Sequence, residues 1–177
     1  MNKLQLEQLE QCIRDYGREI YSFCRHLTGS VQEAEELYQD TFLKATELIQ
    51  SIDYEKNPKS FLISIALRLW KNKKRKYAWR MRIAATESLI EETIENLEAD
   101  TTPETEVIQK EILRQVRKAV ADLEEKYRIP VYLFYTAQMS VAEISKVLKI
   151  PEGTVKTRLY KARKLLKEKL EVVLDET

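Results

Sequence analysis

The stretch SVAEISKVLKIPEGTVKTRLYKARKLLKEK, residues 140–169, decides the fold of the C-terminal part of the chain. Ser140 followed three residues later by Glu143 has the spacing of a capping box, which predicts the start of a short helix. Pro151 predicts the start of a second helix, because the first helical position needs no backbone N–H donor. A short helix, a turn and a long basic helix form the helix-turn-helix layout, whose second helix enters the major groove of DNA. The agreement of cap, turn proline and charge favours DNA binding over an ordinary helical hairpin with a solvated basic face.

The second of these helices has one apolar and one basic side. Its apolar residues follow each other at steps of four, three and four, which predicts that Val155, Leu159, Ala162 and Leu166 are buried. The remaining faces carry the polar and basic side chains Lys156, Thr157, Arg158, Tyr160, Lys161, Arg163 and Lys164.

The composition bounds the fold class. The chain has 177 residues, of which 33% are charged and 44% hydrophobic, enough for one medium domain or two small ones. It contains only three glycines and four prolines, and its apolar residues repeat at helical spacing, so we expect an all-α protein. The net charge of +1 taken alone argues against a nucleic-acid-binding protein, which is usually basic. The distribution of the charges along the chain changes that conclusion.

Several chemical classes are not expected. Cys12 and Cys24 are the only cysteines and His26 is the only histidine, so we expect buried free thiols rather than a disulfide framework or a zinc site. No nucleophile–base set, glycine-rich phosphate loop or metal-ligand spacing is present, and therefore we expect no enzymatic activity, no cofactor and no metal. The N-terminus has no apolar signal core, and no run is long enough to span a membrane, so a cytoplasmic protein is expected.

The first third of the chain predicts two acidic amphipathic helices, over residues 4–28 and from Ser30 to about Gln50. Gly29 is expected to end the first helix, and Ser30 with Glu33 forms a second capping-box pattern. From Met1 to Glu55 there are eleven acidic side chains and five lysines or arginines.

A basic helix follows from Pro58 onwards. Between Lys56 and Thr86 the chain carries ten basic residues and no acidic one, with Trp70, Tyr77 and Trp79 interleaved. Cations mixed with exposed aromatic rings suit a single-stranded or melted nucleic acid, because bases stack on rings while cations follow phosphates. The same residues are also compatible with Trp70 and Tyr77 as core anchors beside a solvated basic face.

The sign of the charge then reverses. From Ile83 to Gln109 there are eight acidic residues and no lysine or arginine, a composition typical of a linker. The run YRIPVYLFY, residues 127–135, is locally strand-like, but its isolation among helical patterns and Pro130 in a helix-start position predict a buried helix. The expected architecture is two small helical domains, residues 1–82 and 108–177, joined by an acidic linker at 83–107.

With both basic helices in view, the sequence resembles the small bacterial sigma factors of the extracytoplasmic-function (ECF) group, which retain the second and fourth regions of larger sigma factors. The run EAEELYQDTFLKA, Glu33 to Ala45, is similar to the helix with which this family docks on the clamp helices of the largest subunit of core RNA polymerase. The resemblance implies that Gln39, Asp40 and Leu43 make this contact, with Phe42 in the core.

The two basic helices match the family's promoter-reading helices. The run SFLISIALRLWKNKKRK, residues 60–76, resembles the helix that reads the minus-ten element and holds the melted strand. This implies contacts by Arg68, Lys71, Asn72, Lys74, Arg75 and Trp79. The run IPEGTVKTRLYKARKLL, residues 150–166, is close to the minus-thirty-five recognition helix. This implies that Lys156, Thr157, Arg158, Tyr160 and Lys161 face the groove and that Arg163 and Lys164 face the phosphates. The chain departs from the family at Arg68, where asparagine is frequent, and at Asn72, where a carboxylate is frequent.

The resemblance implies core RNA polymerase and promoter DNA as partners, an anti-sigma factor as a further partner, and no membrane insertion. One alternative is a stand-alone helix-turn-helix transcriptional regulator that does not bind core polymerase. It leaves the basic-aromatic run at Arg68 to Arg82 unexplained. A second alternative is a helical adaptor whose basic helices bind an acidic partner. Co-purification with core polymerase and reconstituted transcription separate these functions.

Overall fold

The computed structural model describes residues 3–54, 57–84 and 105–175, and every regular element in these ranges is helical. In chain order the elements are α1 (Lys3–Leu27), α2 (Val31–Glu47), a 3₁₀ turn (Ile49–Ser51), α3 (Pro58–Ala84), α4 (Thr105–Ala121), α5 (Glu125–Val131), a π-helical turn (Tyr132–Thr136), α6 (Val141–Leu148) and α7 (Glu152–Asp175). The all-α fold is confirmed. Helices α1–α3 form one compact unit and α4–α7 form another. Most of the predicted acidic linker lies outside the described residues, so the domain limits stay a prediction.

The first unit is a three-helix bundle in which each helix packs against the other two. Its core consists of apolar side chains from all three helices, among them Ile20, Phe23, Ala34, Leu62 and Ile63, all at 0% exposure. Both cysteines of α1 are buried free thiols, as expected. Burial raises the pKa of the Cys24 thiol to about 12 and also raises the pKa of Cys12. These thiols are therefore protonated packing groups at neutral pH rather than nucleophiles.

Side-chain caps fix the turn between α1 and α2. The Ser30 hydroxyl accepts a hydrogen bond from the backbone N–H of Glu33 at 3.2 Å, as the sequence predicts. The Glu33 carboxylate accepts the N–H of Gly29 rather than that of Ser30, at 3.2 Å. Gly29 has no positive φ, so it is not the left-handed residue that often ends a helix. The Thr28 N–H and hydroxyl both donate to the carbonyl of Cys24 instead.

The second unit is built around α7, which contacts α4, α5 and α6. Val155, Leu159 and Ala162 are buried as predicted, at 0%, 3% and 0% exposure, whereas Leu166 is only half-buried. They pack with Leu133, Met139, Ile144 and other residues of the same core.

The helix-turn-helix is formed by α6 and α7. Both hydrogen bonds of the capping box are present, from the N–H of Glu143 to Ser140 Oγ at 3.3 Å and from the N–H of Ser140 to Glu143 Oε2 at 2.6 Å. Lys149 ends α6 in the left-handed conformation, with φ 54°. Pro151 precedes α7 by one residue instead of being its first residue, because its carbonyl already accepts the first helical hydrogen bond, from Val155.

The run 127–135 is helical and largely buried, which confirms the predicted helix over a strand. The predicted role of Pro130 is wrong, since α5 begins at Glu125 and Pro130 lies inside it. The first hydrogen bonds of α5 run from the N–H groups of Tyr127 and Arg128 to the carbonyl of Glu124, so the helix is established before the proline is reached. The chain then widens into the π-helical turn Tyr132–Thr136.

Candidate nucleic-acid interface

The N-terminal half of α7 carries an exposed surface, here called the recognition face, formed by Lys156, Thr157, Tyr160, Lys161 and Lys164. Their helical spacing places them opposite the buried Val155, Leu159 and Ala162. Tyr160 is 69% exposed. The Thr157 hydroxyl donates to the carbonyl of Gly153 at 2.9 Å, and its oxygen can still accept a hydrogen bond. Three ammonium groups, a hydroxyl and a phenol on one face can contact phosphates and base edges together.

The other two predicted contacts of α7 lie beside the recognition face. Arg158 is half-buried. Arg163 is exposed, and its Nε donates to the hydroxyl oxygen of Tyr135 at 2.9 Å. Its guanidinium carbon lies 5.8 Å from the ring centroid of Phe134 and 6.0 Å from that of Tyr135. Nothing in the sequence indicates that Phe134 or Tyr135 lies at this surface, because a regular helix would place Tyr135 above the buried Val131, four residues earlier.

On α3, four of the six predicted contacts form one surface, here called the strand face: Arg68, Asn72, Arg75 and Trp79. Their spacing of four, three and four residues puts them on the same side of the helix. Arg75 donates to the side-chain oxygen of Asn72 at 3.3 Å, so these two groups are already oriented together. Lys71 is exposed next to this face. Lys74 is not part of it, since its ammonium lies 5.2 Å from the centroid of the Trp70 ring.

The three aromatic rings of α3 differ in exposure. Trp70 is a core residue with 8% exposure, whereas Tyr77 is 45% and Trp79 64% exposed. The core-anchor interpretation therefore holds for Trp70 and is wrong for Tyr77. A signal for Trp70 existed in the sequence, because it follows the buried Ile63 and Ala66 at helical spacing.

The predicted docking residues Gln39, Asp40 and Leu43 are all exposed on α2. Leu43 is 65% exposed, which is unusual for a leucine in the middle of an amphipathic helix. Phe42 is half-buried rather than in the core, and it packs against Tyr38 with the ring centroids 4.9 Å apart.

A groove of about 400 Å³ separates α2 from the C-terminal half of α3. It is lined by Leu37, Asp40, Leu69, Asn72, Lys73, Arg75, Lys76 and Arg80. The ammonium of Lys73 pairs across the two helices with Glu36 at 2.9 Å. Asp40 of α2 therefore lines the same groove as Asn72 and Arg75 of the strand face.

The ranges 3–54, 57–84 and 105–175 hold neither a cluster suited to a metal ion nor a membrane-spanning helix. No group of three histidine, cysteine or carboxylate side chains in these ranges is arranged to hold a metal ion. None of the described helices is both long and apolar enough to cross a lipid bilayer.

Each of the two units matches a known family model. Residues 12–80 match the family model of Sigma-70 region 2, and residues 113–166 match that of Sigma-70, region 4. The chain is 33% identical over 160 residues to the ECF RNA polymerase sigma factor SigW of Bacillus subtilis, with 88% of this chain and 84% of that protein covered. The chain belongs to the ECF sigma factors. The resemblance seen in the sequence is confirmed, and the stand-alone regulator is not favoured.

Other relatives of this sigma factor agree. The ECF RNA polymerase sigma-E factor of Haemophilus influenzae is 26% identical over 145 residues, covering 78% of this chain and 75% of that protein. The sigma factor RpoE of Bartonella quintana has the same fold, with a TM-score of 0.75 and 22% identity over 92% of this chain and 96% of that chain. The strand face and the docking residues lie inside the region 2 match, and the recognition face lies inside the region 4 match.

Proposed function

We propose that this sigma factor binds core RNA polymerase in the cytoplasm and directs it to promoters by dividing recognition between its two units. The recognition face with Arg158 and Arg163 binds the upstream, minus-thirty-five element. The strand face with Lys71 and Lys74 binds the minus-ten element and the melted strand. Gln39, Asp40 and Leu43 contact the clamp helices of the polymerase. The protein acts through binding and not through catalysis.

The observation that carries this proposal is the presence of an exposed cationic surface in each unit, on a helix whose opposite side is buried. A regulator that binds one operator through its helix-turn-helix has no use for the second surface on α3. A protein that reads two promoter elements and holds a melted strand needs both.

The recognition face suits duplex DNA. The ammonium groups of Lys156, Lys161 and Lys164 supply sequence-independent attraction to phosphates, which weakens as salt is added. Base choice rests on the few side chains that reach base edges in the major groove, and each good pair contributes about 1–3 kcal/mol of discrimination. We assign this role to Thr157 and Tyr160, which are exposed at the centre of the face.

The strand face suits an unpaired strand. Arg68 and Arg75 attract the backbone, the Asn72 amide offers a hydrogen-bonding group, and the exposed indole of Trp79 offers a stacking surface. Base–aromatic stacking contributes about 1–3 kcal/mol per base, which offsets part of the stacking lost when the duplex opens.

Polymerase is expected to combine these weak contacts. The near-neutral net charge of +1 gives the free protein little general affinity for DNA. Once both units are bound to one polymerase, the second promoter contact becomes intramolecular, and the effective concentration raises the overall affinity without new contacts.

An anti-sigma factor is proposed as a further partner. The solved RpoE of Bartonella quintana is in complex with the anti-sigma factor NepR, and CnrH, a second similar chain with a TM-score of 0.64, is in complex with the cytosolic domain of CnrY. A protein that covers the exposed α2 or α3 surface would block polymerase or promoter binding.

Reconstituted transcription tests the proposal. Core polymerase is incubated with fragmented genomic DNA, with or without this protein, and transcript starts are mapped. We expect starts at a small set of promoters only when the protein is present, together with co-elution of the protein and core polymerase. Promoter DNA binding without binding to core polymerase would instead support the stand-alone regulator.

A further inference from the structure

The π-helical turn Tyr132–Thr136 lies directly before the helix-turn-helix and places an aromatic ring beside the recognition face. Its wider hydrogen bonding includes the N–H of Ala137 to the carbonyl of Tyr132 at 3.0 Å and the N–H of Met139 to that of Leu133 at 3.0 Å. The turn buries Tyr132 and Leu133 but leaves Tyr135 55% exposed. π-helical turns are rare in proteins, and those that occur often lie at functional sites.

Arg163 of α7 contacts this turn through one hydrogen bond and two aromatic rings. Its Nε donates to Tyr135 Oη at 2.9 Å, and its guanidinium lies within about 6 Å of two ring centroids, the usual range of a cation–π contact. The rings of Phe134 and Tyr135 meet edge-on, with centroids 5.0 Å apart and planes at 76°. One hydrogen bond and two rings therefore fix the direction of a side chain that is normally flexible.

The fixed pair retains hydrogen-bonding capacity on its outer side. A guanidinium whose Nε is occupied still has four N–H donors on its two Nη atoms, and a phenol that accepts one hydrogen bond still has its own proton to donate. No carboxylate pairs with Arg163 among the residues that the structure describes. Adjacent charged and neutral donors match the two non-bridging oxygens of a phosphodiester.

The location of Tyr135 and Arg163 beside the recognition face indicates which ligand they bind. Arg163 is three residues after Tyr160 and one before Lys164, so it adjoins the recognition face. We propose that Tyr135 and Arg163 form a clamp for one phosphate of the DNA backbone beside the upstream element, with Tyr135 as a DNA contact in its own right. This inference rests on the proposed function, since it requires the recognition face to lie in the major groove. The clamp sets the register of α7 on the duplex without reading a base.

Neutral-phosphate scanning of a promoter duplex tests the clamp. The probe is a promoter found in the transcription experiment, with single phosphates replaced in turn by uncharged methylphosphonates. It is titrated with holoenzyme, the complex of core polymerase with this protein. We expect that neutralising one phosphate near the upstream element lowers the DNA affinity of the wild-type protein by about 5- to 30-fold. Tyr135→Phe keeps the ring but lacks the hydroxyl, and it should bind the natural duplex about 3- to 10-fold more weakly. When the sensitive phosphate is replaced by a methylphosphonate, the affinity of Tyr135→Phe should fall by a smaller factor than that of the wild-type protein.

Two further variants complete the test. Arg163→Gln should reduce the slope of log affinity against log salt by about one. Tyr127→Phe is the matched control, because Tyr127 also lies under a cation, with Lys126 Nζ at 4.9 Å from its centroid, and it should leave DNA affinity unchanged.

The outcomes distinguish the clamp from the underlying function. In one outcome, wild-type holoenzyme binds the promoter, and the Tyr135 and Arg163 variants lose affinity by the same factor on the natural duplex and on every methylphosphonate duplex. The pair then only positions α7, and the clamp is overturned. If Tyr135→Phe does not change the effect of any methylphosphonate on affinity, the clamp is likewise overturned, while the proposed function stands. If wild-type holoenzyme shows no promoter-specific binding, both proposals fail.

Discussion

Gly17 in the middle of α1 lies against the phenol of Tyr38 on α2. A Cβ atom added at Gly17 would come within 2.8 Å of the Tyr38 hydroxyl oxygen, closer than such atoms can approach. The ring of Tyr38 cannot easily move away, because the rings of Tyr21 and Phe42 contact it at centroid distances of 5.7 and 4.9 Å. The absence of a side chain at Gly17 is what allows the two helices to pack at this distance.

Substituting Gly17 by alanine is expected to destabilise the first unit by about 0.5–2 kcal/mol. Overpacking costs about 1–3 kcal/mol, and the better helix propensity of alanine returns up to about 1 kcal/mol. In a Tyr38→Phe background the clash is removed, so the same Gly17→Ala change should become neutral or stabilising. Urea unfolding of the four proteins of this cycle measures the effect.

The control for this cycle is Gly29→Ala. A Cβ atom there would have Glu33 Oε2 as its nearest neighbour, at 3.8 Å, an ordinary contact. We expect a change within about 0.5 kcal/mol. Equal effects of Gly17→Ala in both Tyr38 backgrounds would show that the methyl group does not meet this hydroxyl.

The buried thiol of Cys24 predicts a loss of stability at high pH. Burial raises its pKa from 9.0 to about 12, so the unfolded chain releases this proton before the folded chain does. The thiol therefore stabilises the fold fully below pH 9.0, and this contribution is lost as the pH rises towards about 12. Between these values the unfolding free energy of the wild-type protein should fall more steeply than that of Cys24→Ala, by up to about 1.4 kcal/mol per pH unit.

Urea titrations at a series of pH values compare the two proteins. The pKa of Tyr38 is raised mainly by burial, which is present in both proteins, and also by the charge of Cys24, which only the wild-type protein has. Below about pH 8 the two stability curves should run parallel. Parallel curves up to about pH 10.5 would show that Cys24 is not shielded from water as its burial indicates.

The sequence predicted the helices because local signals and packing agree in most of the chain. In α7 the spacing of Val155, Leu159 and Ala162 identifies the core side, and hence by exclusion the recognition face. At Ser140 and Glu143 the residue types and their spacing predict the two capping hydrogen bonds that the structure shows. Signals of this kind act within one or two turns, where sequence distance is a good measure of spatial distance.

Features that depend on contacts distant in sequence could not be predicted in this way. Arg163 is held by Tyr135, 28 residues earlier, and that contact exists because the backbone widens into a π-helical turn. No residue type specifies such a turn. Similarly, the residue type of Leu43 gives no sign that the side chain is exposed. Only the family resemblance, which implies a polymerase contact, indicates it, and the structure shows the side chain exposed. These exceptions to local regularity coincide with the surfaces proposed to bind partners.

Leu43 is expected to separate polymerase binding from folding. Because it is 65% exposed, Leu43→Ala should change the unfolding free energy by less than about 0.5 kcal/mol. If it contacts the clamp helices, the same variant should weaken binding to core polymerase by about 5- to 30-fold, the effect of losing an apolar interface anchor. A competition assay with labelled wild-type protein and core polymerase measures the affinity.

Two other residues of α2 serve as controls for Leu43. Val31→Ala removes a second exposed apolar side chain, 51% exposed at the start of the helix, and should leave polymerase binding unchanged. Leu37→Ala removes a side chain with 4% exposure and should destabilise the fold by about 2–5 kcal/mol. If Leu43→Ala and Val31→Ala bind core polymerase with equal affinity, Leu43 is not part of the docking surface.

Trp79 and Trp70 form a matched pair that tests the strand face. Trp79 is 64% exposed, so Trp79→Ala should preserve stability but weaken holoenzyme binding to a single-stranded oligonucleotide of the non-template sequence. The loss of one stacked base corresponds to about 1–3 kcal/mol, or roughly 5- to 150-fold. Trp79→Phe should retain most of the affinity, because the ring still stacks. Binding to an upstream-element duplex should be unchanged in both variants.

Trp70→Ala should behave in the opposite way. Its ring is 8% exposed and lies under the Lys74 ammonium, so its removal is expected to destabilise the first unit by about 3–5 kcal/mol. Thermal unfolding and strand affinity, measured on the same samples, separate the two tryptophans. A Trp79→Ala protein that binds the single strand as tightly as the wild-type protein would show that the exposed indole is not a stacking platform. In that case the cations Arg68 and Arg75 would have to hold the melted strand without it, and the strand affinity should then be almost abolished at high salt.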